Sequence, residues 1–409
     1  MINYMRCSVH PLVMDKEYKM NNLANEIREK INDIYIRNGI ETIILSDLYN
    51  IQYATGIKIP CSHAQPDLVM IALLNKNDEA KIILPEHWVA SASQTKFDGE
   101  LISYKIDQDP FDAAKSVLES EIAGTNNIGS DDDVASIMTS RMIEGVIKDS
   151  GGNKLSVSDD IMEERFIKTK AETHHIQSIS LKTDHAINGY FHHLIADRSK
   201  SSMSISENLR IHSLERDIEI EGYNACSRGV LGQSIEKIWA YAPAYGFASD
   251  DFTEIGDTII ADAMNNERGY WSNSTRIGIM ADDMNADQEE AYDQLVKLRN
   301  IVCENLTINH AANQIYMDIV NDAETQNIAI IENHRLGFSV GVSAMEPPFL
   351  SAGDQTQIEE GMIIVIDGLI EHKGLLYRSR DTVVITDNGP EILNWYKDWR
   401  EPYFALNTI

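Results

Sequence analysis

Aromatic residues crowd two short stretches of the chain: Trp239, Tyr241, Tyr245 and Phe247 in one, Tyr270 and Trp271 in the other. The faces of Trp and Tyr attract quaternary ammonium or sulfonium groups by cation–π interaction, worth about 0.5–2 kcal/mol per contact. Arg276, Arg378 and Arg380 could answer the other end of such a ligand, because a guanidinium grips a carboxylate through two parallel hydrogen bonds. A tyrosine hydroxyl, with an ordinary pKa of about 10, is a poor base for water. It serves better as a donor to an oxyanion, or as the base for a carbon acid when a nearby cation lowers its pKa. These residues suit a small organic cation carrying a carboxylate. Packing of the same aromatic residues in a core, and pairing of Arg378 and Arg380 with Asp367 or Asp381, are the alternatives.

Three segments carry a longer-range pattern. Gly256-Asp257-Thr258-Ile259-Ile260-Ala261-Asp262 runs into Gly269-Tyr270-Trp271-Ser272-Asn273-Ser274-Thr275-Arg276; Gly337-Phe338-Ser339-Val340-Gly341 runs into Met345-Glu346-Pro347-Pro348; and Glu360-Gly361-Met362 leads through Asp367 to Arg378-Ser379-Arg380-Asp381-Thr382. Together they resemble the creatinase/prolidase/methionine-aminopeptidase family, whose fold is known as pita-bread. Metal-dependent members place two Asp, one His and two Glu on these segments, and the resemblance matches those positions to Asp262, Asn273, Phe338, Asp367 and Ser379. Two divalent cations need several anionic oxygens, usually with imidazole. A set with only two carboxylates and a phenyl ring does not meet that need, so neither a metal nor another cofactor is expected.

Creatinase activates water with a His on the loop before the Gly-Asp strand. No His lies between His212 and His310 here, and the resemblance puts Tyr245 at that place. A β-elimination needs one base and no activated water. Some lyases of dimethylsulfoniopropionate share this fold, with an acidic residue near the Glu-Pro-Pro segment as base, which matches Glu346. The leading expectation is therefore a metal-independent lyase that releases dimethyl sulfide and acrylate. Tyr245, Glu346 and Asp367 are its candidate catalytic residues. Trp239, Tyr241, Asp262, Tyr270, Trp271, Asn273, Phe338, Arg378 and Arg380 are its candidate binding residues. His63 joins them because, in creatinase-like homodimers, that region of one subunit reaches the partner's site. Alternatives are a creatinase-like hydrolase acting on a C–N bond of creatine, ectoine or a related amidine or amide, and an inactive metallopeptidase homologue kept as a binding module. A dipeptidase with a rearranged metal set is disfavoured by Phe338 and Ser379.

The elements that must position these groups fall into two blocks, expected as an α/β domain over 1–160 and a pita-bread catalytic domain over 161–409. In the first, an amphipathic helix over Lys19 to Asn38 stops at Gly39. Strand-like runs follow at 41–46, 68–74 and 80–84, with Asn50-Ile51-Gln52-Tyr53-Ala54-Thr55-Gly56 resembling a family element. In the second, Arg165-Phe166-Ile167-Lys168-Thr169-Lys170-Ala171-Glu172 resembles the family linker into the first long helix. Helices are expected over 180–197, 206–223, 286–306 and 308–320, and strands over 258–264, 275–280, 362–366 and 382–386.

Composition sets outer bounds. At 409 residues two cores are expected. A formal charge of −29 argues against nucleic-acid partners and anionic membranes, since both need excess Lys and Arg. Cys7, Cys61, Cys226 and Cys303 are too far apart for a zinc motif. Without an apolar leader or a membrane-length run, a cytoplasmic protein is expected, a homodimer by family resemblance.

Overall fold

In the computed structural model, the described residues are 21–58, 69–76, 80–95, 97–107, 109–196, 202–228, 254–331, 334–394 and 401–404. They divide into two units, Glu17–Arg165 and Phe166–Ile409.

In the first unit, helix α1 (Asn21–Asn38) buries Leu23, Ile27, Ile31, Ile34 and Tyr35, the i, i+4 stripe its sequence predicts. It ends where Gly39 takes a positive φ of 64°. A six-stranded mixed sheet follows in the order β4-β3-β2-β1-β5-β6. Its strands are β1 (Thr42–Leu45), β2 (Ile71–Asn75), β3 (Ala80–Pro85), β4 (Gly99–Tyr104), β5 (Asn127–Ser130) and β6 (Asn153–Ser156). The Asn-Ile-x-Tyr-x-Thr-Gly segment forms helix α2 (Leu48–Thr55), capped by Asp47. Its Asn50 donates to Asp131 at 3.0 Å and accepts from Arg165 at 2.9 Å.

The second unit opens on helix α3 (Lys170–Ala196), whose start is fixed by a reciprocal cap. Thr169 Oγ1 accepts from the Glu172 amide at 3.2 Å, and Glu172 Oε2 accepts from the Thr169 amide at 2.8 Å. The expected helix over 206–223 is shorter: α4 spans Ser202–Leu214, and strand β7 (Glu219–Arg228) begins after Asp217 turns the chain at φ 58°. β-Branched and aromatic runs then form β8 (Thr258–Glu267), β9 (Tyr270–Ile279), β10 (Gly337–Ser339), β11 (Glu346–Leu350), β12 (Ile363–His372) and β13 (Leu375–Thr386). They lie in the order β11-β10-β12-β13-β9-β8-β7, with short strands added on β13 and β9.

Every pairing along that path is antiparallel, so alternate residues define two faces. Helices α5 (Ala286–Asn305) and α6 (Ala312–Thr325) cover one face, joining Leu295, Leu298, Val302, Ile315 and Ile319 to Ile364, Ile366, Val383 and Ile385. α3 and α4 continue that layer, with Ile187, Tyr190, Phe191 and Leu209 on Ile259, Ala261 and Ala263. The strands are thus anchored from the helix side. The opposite face carries Asp262, Asp367 and the residues that surround them.

Candidate functional site

The site grows from three central strands. Asp262 lies on β8 opposite Thr275, whose hydroxyl donates to it at 2.7 Å. Asp367 lies on β12 directly opposite Arg380 of β13, and Arg380 is opposite Thr275 of β9. Paired residues of adjacent strands point to the same side, so Asp262, Asp367, Arg378 and Arg380 converge. Arg380 spans the two carboxylates. Its Nη1 meets Asp262 Oδ2 at 3.0 Å, and its Nη2 meets Asp367 Oδ2 at 2.7 Å. Arg378 holds Asp367 in a fork, Nε to Oδ1 at 2.9 Å and Nη2 to Oδ2 at 2.6 Å, with its Nη1 3.8 Å from Asp262. Two carboxylates face two guanidiniums with almost no exposure, 2% for Asp367 and 1% for Arg380.

Burial alone would push the Asp367 carboxyl up. Arg378, Arg380 and His334 outweigh it and hold the group well below the usual carboxylate range. Asp367 is therefore a fixed anion at neutral pH, unable to shuttle protons as a catalytic acid or base.

Phe338 on β10 is buried against the same group, its ring centre 5.3 Å from the Arg380 guanidinium carbon. It serves the arginine as a cation–π partner. Asn273 on β9, opposite Met264, has no exposure, and neither its side-chain oxygen nor its nitrogen finds a hydrogen-bond partner among the described residues. Ser379 departs from expectation. It pairs with Gly368 on the face turned to α5, where its hydroxyl comes within 3.3 Å of the space a Gly368 side chain would fill, beside Leu295. The residue facing the two carboxylates is Arg380. The match to Ser379 is off by one position, which on a strand reverses the face.

The candidate base Glu346 is also engaged. It forms an ion pair at 2.9 Å with Lys168, both side chains buried, and Lys168 donates further to Ser339 at 3.3 Å. Gly341 makes room for the pair: a β-carbon there would stand 2.5 Å from Glu346 Oε1. Tyr270 turns to the helix side, where its hydroxyl donates to Glu172 at 3.2 Å and its ring meets His175 edge-on. Trp271, one residue on, shares the face of Asn273 by strand alternation and is buried. Arg276 also belongs to the helix face, bonded to Asp381 at 2.7 Å. Trp239, Tyr241, Tyr245 and His63 lie outside the described residues.

Sequence reasoning passed over two residues. His334 was not among the candidates, yet its Nε2 sits 3.6 Å from Asp367 Oδ2 with no hydrogen-bond partner among the described residues. Lys168 was read only as part of a linker. Its partner is 178 positions away, beyond the reach of local pattern.

The donor chemistry does not fit a pair of divalent cations. Among the positions facing the site, Asn273 is a neutral amide, Phe338 has no donor atom, Arg380 is a cation, and both carboxylates already accept from guanidiniums. Among the described residues no group of three or more His, Cys, Asp or Glu is placed to hold a metal ion. Nor, among the described residues, is any helix long and apolar enough to cross a membrane.

Comparison with known proteins gives the family. Metallopeptidase family M24 matches residues 146–387, more than half of the chain, and the creatinase/prolidase N-terminal domain matches residues 28–167. The chain belongs to metallopeptidase family M24. It is 24% identical over 371 residues to an Xaa-Pro dipeptidase of Pyrococcus furiosus, covering 89% of this chain and 96% of that one. Among solved structures, the Pyrococcus horikoshii prolidase superposes with a TM-score of 0.71 at 21% identity, over 91% of this chain and 99% of the other. An X-Pro aminopeptidase of Thermotoga maritima gives 0.76 at 16% identity, over 92% and 99%. These likenesses agree with the expected fold, a creatinase-type α/β domain followed by a pita-bread domain.

They also overturn the leading functional expectation. The relatives are peptidases and dipeptidases, so the description of this chain as a metal-independent dimethylsulfoniopropionate lyase is withdrawn. The site gives the physical reason. Arg378 and Arg380, which were to bind a carboxylate tail, are instead paired with Asp262 and Asp367. Glu346, the base assigned to the elimination, is neutralised by Lys168.

Proposed function

We propose that this chain is a hydrolase that cleaves a C–N bond of a small amide, amidine or guanidino compound, as a creatinase-like member of its family. One observation carries the reading: the His334 imidazole lies against Asp367, an anion fixed by two guanidiniums. An imidazole held in the buried site beside this cluster can take a proton from water through a ring nitrogen. The water oxygen then bonds to the electrophilic carbon, and the proton passes to the leaving nitrogen as the C–N bond breaks. The unpartnered Asn273 amide is a donor available to the oxygen or nitrogen on which charge develops. The dipeptidase relatives support hydrolysis of a C–N bond as the reaction class.

The test is a turnover screen with an Xaa-Pro dipeptide, creatine and ectoine, read as released amine, with chelator and with added manganese. Turnover of one compound that falls about 100-fold or more in His334→Gln is the expected result, given the usual worth of a positioned base. Turnover only with added manganese, unaffected by His334→Gln, would return the chain to metallopeptidase chemistry and overturn the reading. A second reading, a binding module without turnover, is favoured by the engagement of both carboxylates by arginine. Thermal stabilisation by a compound that is never converted would establish it.

A further inference from the structure

The departures from the family's metal-binding pattern at Asn273, Phe338 and Arg380 are coupled through the Arg380 side chain. A planar guanidinium with five donors is the one side chain that can satisfy two separate carboxylates while keeping a fixed geometry. Arg380 does this between Asp262 and Asp367, and Arg378 adds the second positive charge on Asp367. Two unit negative charges are thereby matched by two unit positive charges inside a buried site. The neighbouring positions follow from that exchange. An imidazole at 338 would set a further donor or cation beside the guanidinium, whereas the phenyl ring offers it a π face at 5.3 Å. A carboxylate at 273 would leave the cluster with an unmatched buried anion, whereas an amide is neutral.

We infer that Arg378 and Arg380 are a resident replacement for a metal pair, and that Arg380 is the residue that closes this site to divalent cations. The inference does not depend on the hydrolase reading, because stability and metal content report on it without any turnover. It also predicts that the exchange is reversible. Arg380→Glu with Asn273→Asp and Phe338→His puts three metal-ligating groups back on the face that carries Asp262 and Asp367.

The experiment compares thermal unfolding and metal content of the full chain with and without manganese, cobalt or zinc. The wild type is expected to show no metal-dependent shift. Arg380→Gln leaves two buried carboxylates to a single arginine and is expected to melt about 10 °C lower. The triple variant is expected to take up metal and to gain several degrees when manganese is present at about 100 times its dissociation constant. Should the triple variant fail to fold, Arg380→Glu alone, titrated with manganese, reads the same recovery against Arg380→Lys, which keeps a cation there. Metal uptake by the wild type that Asp367→Asn abolishes would overturn the inference. So would an Arg380→Gln protein as stable as the wild type.

Discussion

The large sheet buries an arginine–aspartate cluster on each of its two faces, and strand β13 supplies both. Arg378 and Arg380 point to one side and Asp381 to the other. On the helix face, Asp381 accepts from Arg276 of β9 at 2.7 Å, Arg299 of α5 at 2.5 Å and Asn394 at 3.1 Å. Asp184 of α3 joins through Ser274 at 2.6 Å. That cluster therefore ties the first long helix, the α5 layer and two central strands to one carboxylate. On the other face the partners are neighbouring strands, with His334 and Asn273 at the edge offering polar atoms that nothing among the described residues engages. The same two residue types make a structural tie where helices close over them and a site where they do not. Balance of charge is common to both; what differs is the partners, helix and strand on one face and neighbouring strands on the other.

The sharpest way to break this comparison is to remove one carboxylate from each face. Asp381→Ala removes the carboxylate that Arg276 and Arg299 share, leaving Arg276 only the more distant Asp184 at 3.5 Å, and is expected to cost about 5 kcal/mol in denaturant unfolding. Asp367→Ala leaves Arg380 its contacts with Asp262, so a smaller loss of about 3 kcal/mol is expected. Equal losses would mean that the site-face cluster is as much a tie as its counterpart.

Acid should affect both faces in the same sense. Burial raises Asp367 and Asp381, but the arginines around each hold the folded pKa below its ordinary value. A depressed folded pKa adds stability that is complete above the unfolded value of about 4 and is lost as pH falls below it. Unfolding free energy should therefore be insensitive to these groups from neutral pH to about 5 and fall below about 4. The acid limb should flatten in both Asp367→Asn and Asp381→Asn, and by more in Asp367→Asn, whose carboxyl is held further down. An acid limb unchanged in both variants would contradict the assigned charges.

The Lys168–Glu346 pair repeats the test at smaller scale, centred on one buried ion pair. Breaking it on one side should be severe, whereas Lys168→Met with Glu346→Leu together should stay within about 1 kcal/mol of the wild type. A double variant as damaged as either single one would show that the charges themselves are required there.

How much of this was legible in the sequence depended on the range of the signal. Glycine-bounded, β-branched segments announced β8, β9, β12 and β13, and Asp262 and Asp367 stand on them as expected. Asn273 and Phe338 were singled out because their segments carry a dense motif, and both lie on the face of the carboxylate cluster. The Arg-Ser-Arg-Asp run held more than was drawn from it. On a strand its period of two puts both arginines on one face, and a serine seated with the carboxylates would have turned both away. The Asp367 pairings needed the β12–β13 register, and the Lys168 pairing joins distant parts of the chain. Neither is encoded in local spacing. Tyr270 failed for the reason Ser379 did: adjacent aromatic residues on a strand cannot face the same ligand, and Tyr270 went to Glu172.

Ser379 supplies the smallest expected effect and the cleanest control on the register. Its hydroxyl is buried, makes no hydrogen bond and faces the α5 side beside Gly368 and Leu295. Turning the CH2OH of serine into the CH3 of alanine removes a desolvated polar atom and leaves only a small void, so Ser379→Ala should be neutral or stabilising by about 1 kcal/mol. Ligand-induced thermal shifts should be unchanged, while Arg380→Gln alters them through the carboxylates it releases. A Ser379→Ala protein that loses ligand response while keeping its stability would put residue 379 on the site face. The register of β13 on β12 would then be wrong by one, and with it the assignment of the bridging cation to Arg380.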